Sequence, residues 1–350
     1  MRAQRRPAPV RALVRRLRCR PLRMTPRRGL TIAGTAMALG LGLLPAAPAR
    51  AASPSHPIMF GAVGNSEAGV AANQEVLGRT LRGLRVYKNW DSRLFGSAQT
   101  WARDTGHTLF LSLDSRRDNG SAVKWADVAA ARPGSALYAD MLAQAVQIKA
   151  FRATVYLAYN HEPDAKWSTG SGTSPAQFAA AWRKVISVYR AAGVTNAKYV
   201  WVMTSYSFRR TDGHRAELYY PGDAYVDDIG SDGYNWYKCR DGGGGWADAA
   251  TIFGGQRDFG TKHRSKGLMI WEFSSAEDPQ SPGRKASWFH DVERLFQTPS
   301  WSQYRVLLTW EGRSHAGKLN CQFDYRSSSS ATAAWKALGN DSAYTAVRVG

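Results

Sequence analysis

Cysteine is scarce in this 350-residue chain, with three in all, so a disulfide-dense miniprotein scaffold is excluded. Charge is modest at 21%, and apolar residues make up 44%, which excludes a disordered chain and supplies a substantial core. Acidic residues and lysine are missing altogether from residues 1–51, which hold twelve arginines. The formal charge of +20 therefore falls to +8 over residues 52–350, and most of the case for a nucleic-acid partner goes with that segment. The apolar run Leu30–Leu44 is too short for a comfortable membrane span. The seven histidines are scattered and no acidic cluster has metal-ligand spacing, so neither a metal nor another cofactor is expected.

Arg27 and Arg28 precede that apolar run, and Ala49-Arg50-Ala51 follows it as a small-x-small site. This order is the pattern of a cleaved export signal. It predicts an extracellular mature protein without stable membrane insertion once the signal is removed. The arginine pair also permits twin-arginine export, and Met24 is an alternative start. Residues 52–350 then form a single domain. They keep two cysteines, Cys239 and Cys321, and an even count in an exported chain predicts one disulfide between them.

Eight short apolar segments bounded by Gly, Asp, Asn or Ser read as buried parallel strands: 59–63, 84–87, 109–113, 154–159, 199–203, 228–230, 268–273 and 305–309. Helical patterns alternate with them, at 67–81, 98–105, 137–149, 176–192, 287–296 and 331–338. Ser174-Pro175 opens one of these and Gly193 closes it. The alternation predicts an α/β fold, a single (β/α)8 TIM barrel. A doubly wound open sheet is the alternative, but the turn after the first strand, Gly61–Ser66, lacks the third glycine of a phosphate cradle.

Barrel chemistry collects at the carboxyl ends of strands. There the fourth strand ends Tyr159-Asn160-His161-Glu162 and the seventh Ile270-Trp271-Glu272. The sixth continues into Asp232-Gly233-Tyr234-Asn235-Trp236, and the eighth ends Thr309-Trp310-Glu311. Carboxylates on strands four and seven can meet within roughly 5–5.5 Å, the spacing of retaining glycosidases. Trp90, Trp167, Trp236 and Trp310 supply flat apolar faces on which sugars stack, each with core packing as its alternative. Glu162 has a competing reading as a helix N-terminal acid, and Tyr234 as a core tyrosine.

Asn160-His161-Glu162 with Trp167, the stretch from Tyr220-Pro221-Gly222-Asp223 to Tyr234, and Glu272 after an apolar strand together resemble glycoside hydrolase family 26, the β-mannanase family. The resemblance runs through most of residues 58–325. It implies a retaining hydrolase with Glu162 as acid/base and Glu272 as nucleophile. It further implies that Tyr234 hydrogen-bonds the nucleophile and that His161 lines the cleavage subsite. Tyr159-Asn160 stands where mannanases of the family carry Arg-Pro, and Pro163–Lys166 also departs, in positions that belong largely to substrate binding. The expected function is therefore a secreted, monomeric endo-acting hydrolase of a β-linked polysaccharide. Mannan leads and xylan or β-glucan are alternatives, with a non-catalytic carbohydrate-binding barrel as the rival class.

Overall fold

The computed structural model describes residues 56–64, 66–165, 171–172, 174–240, 244–314 and 321–349. The export segment and Trp167 lie outside the described residues. The eight apolar segments form β1 (Met59–Val63), β2 (Gly83–Lys88), β3 (Thr108–Leu113), β4 (Val155–Tyr159), β5 (Ala197–Thr204), β6 (Asp228–Asn235), β7 (Gly267–Ser275) and β8 (Tyr304–Thr309). Each pairs in parallel with the next, and β8 returns to β1 in the register Met59↔Val306 to Ala62↔Thr309. That closure excludes the open sheet and gives the (β/α)8 barrel. The first two strands approach closely: a Cβ on Gly61 would lie 2.2 Å from the Gly83 carbonyl oxygen, so only glycine fits.

Around the barrel run α1 (Glu67–Leu77), α2 (Ser97–Asp104), α3 (Trp125–Ala130), α4 (Ala136–Phe151), α5 (Pro175–Ala191), α6 (Ala216–Tyr219), α7 (Ala249–Gly260), α8 (Arg284–Leu295) and α9 (Ser329–Asn340). The Ser174 hydroxyl accepts from Gln177 N at 3.3 Å and caps α5 as its sequence requires. α1 stops at Leu77, four residues short of the expected end, because Gly78 turns left-handed (φ 80°) and donates its N–H to Gln74 O. α7 was not expected, since Gly254, Gly255 and Gly260 lower its helix propensity. Asp248 caps it, accepting from Thr251 N at 2.6 Å, and burial of Ile252, Phe253 and Phe259 holds it against the sheet. α3 and α6 are too short to show a periodicity.

The apolar residues divide between two layers. Met59, Phe110, Tyr156, Ala158, Val200, Val202, Met269, Trp271, Val306 and Leu308 fill the barrel interior. A larger cluster lies between strands and helices, including Trp182, Trp201, Trp288 and Trp335. A filled interior leaves only the carboxyl rim open to chemistry.

Cys239 and Cys321 are disulfide-bonded, with Cα atoms 5.1 Å apart. Cys321 begins β10 (Cys321–Gln322), which pairs antiparallel with β9 (Arg313–Ser314). The bond ties the segment after β6 to the segment after β8 across 82 residues of chain. Closing such a loop costs the unfolded chain entropy worth roughly 4.5 kcal/mol, an upper figure. Replacing both cysteines by alanine is expected to lower the urea midpoint and to steepen the slope, because the freed unfolded chain exposes more surface. An unchanged midpoint would mean that the bridge adds no stability.

Candidate active site

The segment after β4 is held in an unusual backbone shape. Asn160 (φ 44°) and Glu162 (φ 49°) both take the left-handed conformation, which asparagine tolerates and glutamate does not. The cost for Glu162 is about 1–3 kcal/mol. Neighbouring groups enforce the shape. Asn160 N donates to Leu113 O at 2.7 Å, Glu162 N donates to Val202 O at 2.9 Å, and Trp125 Nε1 donates to Asn160 Oδ1 at 3.1 Å.

Glu272 reaches the site by a different device. Along β7, Met269 and Trp271 belong to the barrel interior while Ile270 and Phe273 face the helices. Strict alternation would send Glu272 outward with Ile270. The pairing with β6 instead steps from Ser231↔Ile270 to Asp232↔Glu272, leaving Trp271 as the extra residue of a bulge. Such a bulge re-aims the side chain that follows it. Glu272 consequently turns to the rim and is only 8% exposed.

At the centre of the rim is Arg85 of β2, completely buried. Its Nη1 lies 2.9 Å from Asp232 Oδ1 and 2.9 Å from Glu272 Oε1. Nη2 donates to Asp232 Oδ2 at 3.2 Å and to Ser112 Oγ at 3.0 Å. Tyr87, two residues along the same strand, donates its hydroxyl to Glu272 Oε1 at 2.6 Å. Tyr234 donates to Glu272 Oε2. One carboxylate thus receives two phenol hydrogen bonds and a guanidinium. The Tyr234 contact agrees with the family resemblance. Arg85 and Tyr87 escaped the sequence reading, although an arginine inside the apolar string Leu84-Arg85-Val86 was a visible signal of a buried partner.

The charges around this centre do not balance. Glu162, Asp232 and Glu272 all feel the single positive charge of Arg85. Arg85 bonds to Asp232 and Glu272 directly. Burial pushes the Glu162 carboxyl well up, and the charges of Asp232 and Glu272 push it further, with only a partial offset from Arg85. Glu162 therefore holds its proton above the usual carboxylate range. Burial and then Arg85 hold His161 well below its ordinary value, so its imidazole is neutral. The His161 ring lies 5.6 Å from that of Tyr87.

Ligand atoms of His161, Asp232 and Glu272 lie within 4.8 Å of one another, a convergence of distant residues that sequence spacing did not show. Two of the three already share the Arg85 guanidinium, which neutralises charge where a cation would. These donors are thus committed to an internal cation and do not make a fitting metal site.

Aromatic residues flank the centre. Trp310 meets Tyr234 edge-on at 5.7 Å and stays partly exposed. Trp236 is 5.4 Å from Tyr234, and the guanidinium of Arg240 covers its ring at 3.6 Å. Phe323 and the disulfide pack behind this group. Trp90 corrects the sequence reading: it is 0% exposed, edge-on to Tyr159 and bonded through Nε1 to Asp140. A sugar cannot stack on a ring enclosed in the core.

Residues 129–262 match the sequence pattern of glycosyl hydrolase family 26. A curated relative, Endoglucanase H of Acetivibrio thermocellus, is 27% identical over 247 residues, covering 67% of this chain and 25% of its own. The chain thus spans about a quarter of that relative's length. Two solved structures share the fold. The endo-β-1,4-mannanase of Cellulomonas fimi has a TM-score of 0.58 at 17% identity, over 83% of this chain and 72% of its own. The family 26 β-mannanase of Bacteroides ovatus has a TM-score of 0.57 at 14% identity, over 83% and 90%. The likeness read from the Asn160-His161-Glu162 segment falls within the matched residues 129–262, the fold is shared with the two mannanases, and the chain is thus similar to the glycoside hydrolases of family 26.

Proposed function

We propose that this protein is a secreted, retaining endo-hydrolase of a β-linked polysaccharide, with Glu272 as nucleophile and Glu162 as acid/base. The observation that carries the reading is the asymmetry of the two carboxyls. Glu272 accepts from Tyr87, Tyr234 and Arg85, while Glu162 faces negative charge with its proton retained. Mannan leads on the motif resemblance, and β-glucan stands beside it because the curated relative is an endoglucanase. A panel of mannan, glucan and xylan, scored by reducing ends and by loss of viscosity, tests substrate and endo action together.

In the first step Glu272 attacks the anomeric carbon as Glu162 passes its proton to the departing oxygen. The bond to the leaving sugar breaks and a glycosyl ester forms on Glu272. Esterification removes the charge of Glu272, one of the terms that hold the proton on Glu162. Glu162 then accepts a proton from water, which attacks the same face that the leaving group vacated. Tyr87 and Tyr234 keep both oxygens of Glu272 in place while it is unesterified. Neutral His161 fits a role beside the sugar at the cleavage point, where a second cation next to Arg85 would be repelled.

The site's electrostatics fix the pH dependence. A group whose value is raised is active as an acid below that value and loses its proton as pH rises through it. kcat/KM on natural polymer should accordingly fall with a basic limb above the ordinary carboxylate range. An aryl glycoside with a good leaving group should flatten that limb. A limb indifferent to the leaving group would remove Glu162 from the acid role.

Azide separates the two carboxyls chemically. In Glu162→Ala, an activated β-glycoside still forms the ester, and azide entering the vacated space should restore turnover as a β-glycosyl azide. In Glu272→Ala, azide enters from the opposite face and should give the α product. Reversed anomers would exchange the roles, and unaffected rates would place the chemistry elsewhere.

The export reading rests on Leu30–Leu44 and Ala49-Arg50-Ala51. Amino-terminal sequencing of protein from the culture medium should begin at Ala52. Full-length protein retained in cells would overturn it.

A further inference from the structure

Arg240 is out of keeping with the other arginines near the rim. Arg85 is engaged by two carboxylates, and Arg284 pairs with Asp278 at 2.9 Å. Among the described residues no carboxylate pairs with Arg240. Its guanidinium instead lies over Trp236 at 3.6 Å, partly buried. Removing an unpaired cation from water costs free energy, and burial does depress its proton affinity. Trp236 lies 5.4 Å from Tyr234, which donates to Glu272, so Arg240 stands at the rim that carries the carboxyls. The adjacent Cys239 is fixed by the disulfide, and Trp236 is fixed by Tyr234 and Phe323. The guanidinium therefore stands on a fixed base, and among the described residues its donor edges meet no carboxylate.

We propose that Arg240 is a specificity residue that binds a carboxylate carried by the polysaccharide beside the scissile bond, which makes the preferred substrate a uronate-bearing β-glycan. The inference rests on the assignment of Glu162 and Glu272 as the catalytic pair, because Arg240 reaches their rim through Trp236 and Tyr234. A planar guanidinium fixed by stacking presents two parallel N–H groups to a carboxylate, a geometry that neutral hydroxyls do not match. Lys238, exposed two residues earlier with its ammonium 5.4 Å from the Tyr237 ring centre, adds positive charge to the same segment. Neutral mannan or glucan would leave the Arg240 charge without a counter-ion once the cleft fills and water leaves.

The test compares glucuronate-bearing mannan and xylan oligosaccharides with the same molecules after reduction of their carboxyls to alcohols. The wild-type kcat/KM should favour the acidic form at least about tenfold. Arg240→Met should bring that ratio to about one, and Arg240→Lys should fall between. Equal values for the two forms in the wild-type protein, or an unchanged ratio in Arg240→Met, would overturn the proposal. Calorimetric binding of the same pairs reads the ratio without turnover, so it decides the matter even if a variant is inactive. Failure of the hydrolase reading shows separately, as no reducing ends from any polymer, acidic or neutral.

Discussion

One guanidinium for three carboxyls is the constraint on which the site depends. Arg85 is wholly buried, and its two strong contacts are with Asp232 and Glu272. A single positive charge cannot stabilise three negative ones in a low-dielectric rim. Burial and this shortfall push both Glu162 and Asp232 well above the usual carboxylate range, and Glu162 is the one of the two that Arg85 does not bond. The asymmetry between Glu272, which Arg85 bonds, and Glu162, which it does not, thus follows from where Arg85 points. It also explains why the arginine is tolerated in the core. Its burial is costly alone but is met by Asp232, Ser112 and Glu272 together, with the faces of Tyr87 and Trp271 on either side.

Two local irregularities bring the carboxyls to this centre. A perfect β7 would turn Glu272 toward the helices, and the bulge at Trp271 corrects the direction by one residue. A relaxed backbone at Glu162 would take the β or right-handed region, and hydrogen bonds to β3 and β5 carbonyls hold the segment left-handed. Both are departures from ideal structure at the carboxyl ends of strands, and each aims a carboxyl at the rim. The regular part of the barrel supplies rigidity, and the irregular part supplies aim.

What was legible in the sequence follows from this division. The strands were readable because each is a short apolar string between turn formers, and their alternation with helices implied closure. Glu162 and Glu272 were readable because charge at the end of such a string is rare. β6 was cut short in the reading because Gly230, Asp232 and Gly233 are poor strand formers; the strand runs on to Asn235 because its neighbours pair with it. Arg85 and Tyr87 were missed because their partners lie 147 and 185 residues away, which no local pattern reveals. Trp90 was misjudged for the converse reason: composition says that a tryptophan is near the rim but not which way it faces. Its indole N–H is committed to Asp140, leaving no face for a sugar.

The disulfide belongs to the same mechanical argument. Cys321 and Phe323 form the floor against which Tyr234, Trp236 and Trp310 pack. Tyr234 in turn donates to Glu272, so the bridge is two contacts from the nucleophile. The segment after β6 is glycine-rich and would be costly to order by packing alone. A covalent tie between the ends of β6 and β10 limits the conformations open to Tyr234, whose single hydroxyl must meet one oxygen of Glu272. The bridge therefore serves the orientation of Glu272 through Tyr234 as well as the stability of the barrel.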